Sequence, residues 1–184
     1  MDELVLGVSL VNSLQSTVEI FTGNHECRGK KESILAVMQP ILEPHVVVID
    51  YEYRSKEYDV IPYTHLHNEQ WVASKSKLLL THVRGNIGGL VKSEIDLDRL
   101  KEWELVLAGD LHEHSMTQEN IVYPGSPINT SFARTRSENE HGYIVIDTET
   151  LEWAFHPFDL PQLIRKTVSS TSEIQKGERD HIIY

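Results

Sequence analysis

Residues 76–83, SKLLLTHV, and residues 104–114, ELVLAGDLHEH, decide the fold. Each carries an unbroken apolar run that turns polar at its carboxyl end, the pattern of a strand buried inside a sheet. Around them strands alternate with helical stretches. Residues 2–15 suit a short helix, and TVEIFTG (17–23) reads as a buried strand ending at a loop. KKESILAVMQPIL (30–42) reads as a helix interrupted by Pro40, and HVVVIDYEY and EYDVIPY read as two paired strands joined by RSK. The Gly-rich loop RGNIGG follows the 76–83 strand, and DLDRLKEW is a helix with Asp96 as its N-cap. NIVYPGSP, HGYIVIDTET and LEWAFHPF close the pattern as successive strands. The chain is therefore an α/β layered domain with a mixed or antiparallel later sheet. Residues 1–160 form that domain, and 161–184 form a polar tail or the start of a capping region.

Composition bounds the function. The 184 residues include 40% hydrophobic and 24% charged side chains, ordinary for a folded domain. No apolar run reaches the roughly 18 residues of a membrane span, and acidic residues stand where an export signal needs basic ones. A single cysteine, Cys27, excludes an internal disulfide framework and fits a reducing compartment. The net charge of −11 excludes nucleic-acid binding by general surface charge. Action on DNA would need metal cations, a local basic patch or a basic partner. Ten histidines in so acidic a chain point instead to metal chemistry.

Three strands end in coordinating side chains: Asn24 and His25, then His82, then Asp110 and His112. Sites in open α/β sheets lie just beyond the carboxyl ends of strands. Singly each cluster reads as a turn or a hydrogen-bonded loop residue, which is the reading kept for His45, His141, His156 and His181. Together they form a nitrogen-and-oxygen donor set suited to Mn, Fe or Zn.

The ordered set GNHE, LLLTHVRGN, LVLAGDLHEHS and VYPGSPINTSF resembles the later motifs of the calcineurin-like metallophosphoesterases. Within them the chain is most similar to SbcD-type nuclease subunits, especially the recombination exonuclease subunits of large phages. The resemblance covers residues 15–165 and implies a four-layer α/β/β/α sandwich. It implies that Asn24 and His82 ligate a second metal, with Asp110 where the family has a histidine, and that His112 ligates the first. His25 would protonate the departing alkoxide and Glu26 would hold His25. Two Mn ions are the implied cofactor, hydrolysis of DNA phosphodiesters the implied reaction, and an SMC-like ATPase subunit the implied partner. The setting it implies is the cytoplasm of a bacterium or a phage-infected host.

The family's opening Asp-x-His and Gly-Asp-x-x-Asp motifs are not found in this sequence, so the domain is expected to be N-terminally incomplete. An uncovered sheet edge would then invite pairing with another chain, a second copy included. His65 and His67 of HLHN, with Arg84 and Arg134, are candidates to face substrate, each with a solvated-loop alternative. His114 is expected to be an exposed loop residue, Cys27 a small buried filler, and Trp71, Trp103 and Trp153 packing residues. Two other functions stay open: a phosphoesterase for small molecules or phosphoproteins, and an inactive fragment or binding subunit.

Overall fold

The computed structural model describes residues 3–128, 141–161, 163–176 and 181–183. The amino-terminal segment is helix α1 (Glu3–Ser13), followed by β1 (Val18–Phe21), β2 (Cys27–Arg28) and β3 (Glu32–Ser33). After a 3-10 helix (Leu35–Ile41) come β4 (Val46–Ile49), β5 (Tyr53–Arg54), β6 (Asp59–Ile61) and α2 (Tyr63–Leu66). Then follow β7 (Leu78–His82), a 3-10 helix (Leu97–Glu102), β8 (Leu105–Gly109), a 3-10 turn (His114–Met116) and β9 (Ile121–Val122). The hairpin strands are β10 (Gly142–Ile146) and β11 (Trp153–Pro157), and β12 (Leu163–Arg165) and β13 (His181–Ile183) complete the described elements.

The centre is a five-stranded sheet in the order β5-β6-β7-β8-β9. β5 is antiparallel to β6, and the remaining pairings are parallel, with β7 and β8 in register from Leu78↔Leu105 to His82↔Gly109. The apolar runs are unbroken because both faces of this sheet are covered. Leu79, Val106 and Ala108 pack on one side with Ile61, Leu66, Leu100 and Trp103. Their neighbours Leu78 and Leu105 pack on the other side with Val122, and Ile144, Ile146 and Leu151 of the hairpin lie against them. Each fully buried Leu, Ile or Val contributes about 1.5–3 kcal/mol relative to exposure.

The amino-terminal end of the sheet is closed by Asp59, which has no exposed surface. Its Oδ2 accepts hydrogen bonds from Lys75 N (3.0 Å) and Trp103 Nε1 (2.9 Å), with Arg54 Nε at 3.9 Å. Asp96 caps the 3-10 helix that carries Leu100, its side chain accepting from Asp98 N.

Several expected elements take another form. The 30–42 stretch is not an α-helix: β2 pairs antiparallel with β3, and the 3-10 helix that follows contains Pro40 and no buried residue. Proline removes a helix donor, and a helix without a packed face has little to hold it. The two strands expected to pair around RSK do so only through β5 and β6, while β4 pairs parallel with β1 in a separate two-stranded sheet. The 96–103 stretch is a capped 3-10 helix. In the tail, β12 pairs parallel with β13.

His114 is not an exposed loop residue. Its ring stacks on Phe155 at 4.0 Å and meets the edge of Trp153, and its Nδ1 lies 2.6 Å from Tyr123 O. The hairpin approaches this loop, which the local sequence alone does not reveal. No helix among the described residues is long and apolar enough to cross a membrane.

Candidate functional site

Three carboxyl-terminal strand ends converge. Asn24 follows β1, His82 ends β7 and Asp110 follows β8. Asn24 Oδ1 lies 3.1 Å from His82 Nε2, Asn24 Nδ2 donates to Asp110 Oδ1 at 3.0 Å, and His82 Nε2 stands 3.3 Å from the same oxygen. The side chains of His82 and Asp110 are 19% and 14% exposed, so the cluster is shielded yet open to solvent. These separations bear on metal binding. Donors about 2.1 Å from one cation and at right angles to each other stand about 3.0 Å apart. Two of the three separations, Asn24 Oδ1–His82 Nε2 and His82 Nε2–Asp110 Oδ1, join possible ligand atoms and are close to that spacing, while Asn24 turns its Nδ2 to Asp110.

Asp110 reaches this place with φ at 101°, a conformation that disfavours a residue with a Cβ. Strain of this kind costs on the order of 1–3 kcal/mol and persists where surrounding structure enforces it. Here the buried Leu111 on one side and the β8 ladder on the other fix the chain direction.

The remaining expected residues divide. His25 is exposed at the tip of the turn. Glu26 was expected to hold His25; its Oε2 instead accepts from Gly23 N at 3.1 Å and so braces the turn that carries Asn24. His112 is exposed, and its carbonyl accepts from Ser126 N at 3.0 Å. Among the described residues no group of three or more His, Cys, Asp and Glu side chains is placed to hold a metal ion, so His112 does not extend the His82–Asp110 pair. Leu111 turns inward between them, and the chain then leaves the site.

His65 and His67 lie on or just after α2, both half-buried. Thr64 Oγ1 donates to Asp50 Oδ1, which leaves its lone pairs for the His65 Nδ1 proton at 3.0 Å. His67 Nε2 is 3.4 Å from Glu94 Oε2. Burial, with Lys30 and Arg99 nearby, nevertheless holds the His67 pKa below its ordinary value and outweighs Glu94. Arg84 is half-buried, and its buried Nε has no hydrogen-bond partner among the described residues. Arg134 lies outside the described residues.

Glu94 and Tyr63 were not singled out in the sequence. Glu94 accepts from Arg84 N at 2.6 Å and from the Tyr63 hydroxyl at 3.2 Å. The Tyr63 ring meets His82 and His67 edge-on, at 5.9 Å and 5.1 Å between centroids. Burial, then Glu94, pushes the phenol up to about 12, so it stays protonated at neutral pH. Glu94, one of two acids within VKSEID, carries no local signal for this role. Cys27 is half-buried against the core, and burial followed by Asp50 and Glu26 raises its thiol pKa, which keeps it unreactive.

No family model and no solved structure matches the chain. A curated relative does. The chain is 40% identical over 193 residues to the protein named "Probable exonuclease subunit 1" of Escherichia phage T5, an alignment covering 100% of this chain and 59% of that protein. The relative is a phage protein named as an exonuclease subunit. The chain thus spans 59% of the length of the curated relative it matches.

Proposed function

We propose that this chain carries part of a metal-dependent phosphodiesterase site of the calcineurin-like type, in a nuclease subunit acting on DNA beside an SMC-like ATPase. The α/β/β/α sandwich belongs to the same proposal. The observation that supports it best is the meeting of Asn24, His82 and Asp110, residues 58 and 86 positions apart, at mutual distances of 3.0–3.3 Å. The printed name of the phage relative points to the same substrate class.

A bound Mn ion would supply a polarised phosphoryl oxygen and a nucleophile at neutral pH. The chain's own residues do the rest. Asn24, His82 and Asp110 would hold the ion, with Glu26 fixing the Asn24 turn. His25, exposed on the residue after Asn24, would give a proton to the leaving oxygen as the general acid. The half-buried Arg84, on the loop after β7, would present its guanidinium to a phosphate oxygen.

Calorimetric titration with Mn, followed by incubation with linear duplex DNA and with bis(p-nitrophenyl) phosphate, tests the proposal. Binding of Mn that is lost in His82→Ala, together with release of nucleotides from DNA, is the expected result. Turnover of the model diester without DNA cleavage would favour a small-molecule or phosphoprotein phosphoesterase. One observation favours a binding subunit without activity of its own: among the described residues the donor set contains only two His, Cys, Asp or Glu side chains beside the Asn24 amide. Mn binding without hydrolysis of either substrate would establish that reading.

A further inference from the structure

We infer that Gly109 and, less strongly, Gly23 are positioning residues for His82: their missing side chains form the slot that turns Nε2 toward Asn24 and Asp110. The inference rests on the site proposed above but concerns the ring, which can be tested without any metal.

His82 and Gly109 are register partners on β7 and β8. Side chains of partner residues on adjacent parallel strands emerge side by side, about 4.8 Å apart along the hydrogen-bonding direction. With no side chain at 109, the imidazole can lean over the β8 backbone toward Asp110. The lean is close: a Cβ placed on Gly109 would lie 2.6 Å from His82 Nδ1 and 3.3 Å from Cε1. From the other side, a Cβ on Gly23 would lie 3.0 Å from both Nδ1 and Cε1 and 2.9 Å from Glu26 Oε2.

Neither glycine has positive φ, so backbone conformation does not require glycine at either position. What requires it is the ring. The Nδ1 edge lies against the two glycines, while Nε2 faces Asn24 Oδ1 at 3.1 Å and Asp110 Oδ1 at 3.3 Å. The two ring nitrogens are distinct ligands, and the slot decides which one is offered. The Tyr63 edge completes the enclosure.

The test uses the full chain with Gly109→Ala, Gly23→Ala and, as a control on the open face of α1, Gly7→Ala, where a Cβ meets nothing within 4 Å. Proton NMR of the metal-free protein should show cross-relaxation from the His82 Hε1 to the Gly23 and Gly109 α-protons. That signal should disappear in Gly109→Ala, weaken in Gly23→Ala and persist in Gly7→Ala. Mn affinity, read by calorimetry, should fall by about tenfold or more in Gly109→Ala and by less in Gly23→Ala. In a His82→Ala background Gly109→Ala should cause no further loss, a readout that a general folding defect would not reproduce.

Retention of the His82 cross-peaks and of wild-type Mn affinity in Gly109→Ala would overturn the inference. An equal loss of affinity with and without His82 would overturn it too. If Gly109→Ala fails to fold, Gly23→Ala decides by the same two readouts. If the wild-type chain binds no Mn, the site proposal falls, and the cross-peaks alone decide the slot.

Discussion

The two ends of the five-stranded sheet each gather an aspartate with groups from distant segments, and they do so to opposite effect. At the amino-terminal end Asp59 is fully buried, and backbone amides and an indole direct donors at one of its oxygens, with the Arg54 guanidinium 3.9 Å away. At the carboxyl-terminal end Asp110 is part-exposed and strained in φ, and its Oδ1 meets the Asn24 amide nitrogen and the His82 imidazole. A sealed acid surrounded by donors holds a fold together. An accessible acid that accepts from an amide nitrogen and stands 3.3 Å from an imidazole nitrogen marks the end at which we propose a cation.

That contrast can be broken by substitution. Asp59→Ala should have the largest effect, about 3–5 kcal/mol of stability, since it leaves the buried Trp103 Nε1 and the Lys75 amide without their acceptor and removes a buried charge 3.9 Å from Arg54 Nε. A urea midpoint that barely moves would erase the distinction. Asp110→Gly should behave in the opposite way. Relief of about 1–3 kcal/mol of strain offsets the lost bonds, so stability should change by about 1 kcal/mol or less while Mn affinity drops at least tenfold. Equal unfolding of both variants would show Asp110 to be as structural as Asp59.

Smaller effects sharpen the comparison at the carboxyl-terminal end. Tyr63→Phe removes one hydrogen bond to Glu94 but leaves the ring edge on His82, so it should cost about 0.5–1.5 kcal/mol and spare Mn binding. Calorimetry on that variant separates the clamp from the ligand set. The smallest effect is on pH. The folded pKa of His67 is depressed, so the unfolded state takes up the proton first as pH falls below about 6.5. His67 therefore costs stability on the acid side and none above neutrality. His67→Gln should flatten the decline in melting temperature between pH 7 and pH 5, with no change at pH 8.

The strand ends were legible in the sequence because a buried strand leaves two signals at once, an apolar run and an abrupt polar stop. SKLLLTHV and ELVLAGDLHEH carry both, and β7 and β8 lie where they indicate. The convergence of Asn24, His82 and Asp110 was legible from motif order alone. What the sequence did not show were contacts made by residues with no local pattern: the Glu94 carboxylate on Tyr63 and Arg84, the His114 ring on Phe155, and Glu26 bracing Gly23. Nor did it show that residues 30–42 would lack a helical face to bury, since that depends on what lies opposite them.

Asn24 rides on the β1–β4 pair, whereas His82 and Asp110 ride on the central sheet. The two sheets are linked near the site by Tyr63 N bonding to Thr22 O and by the Thr22 and Thr64 hydroxyls on Asp50. A partial opening that parts those few bonds would withdraw the amide and leave the other pair in place. Amide exchange along β1 would therefore report the fraction of molecules able to assemble the trio.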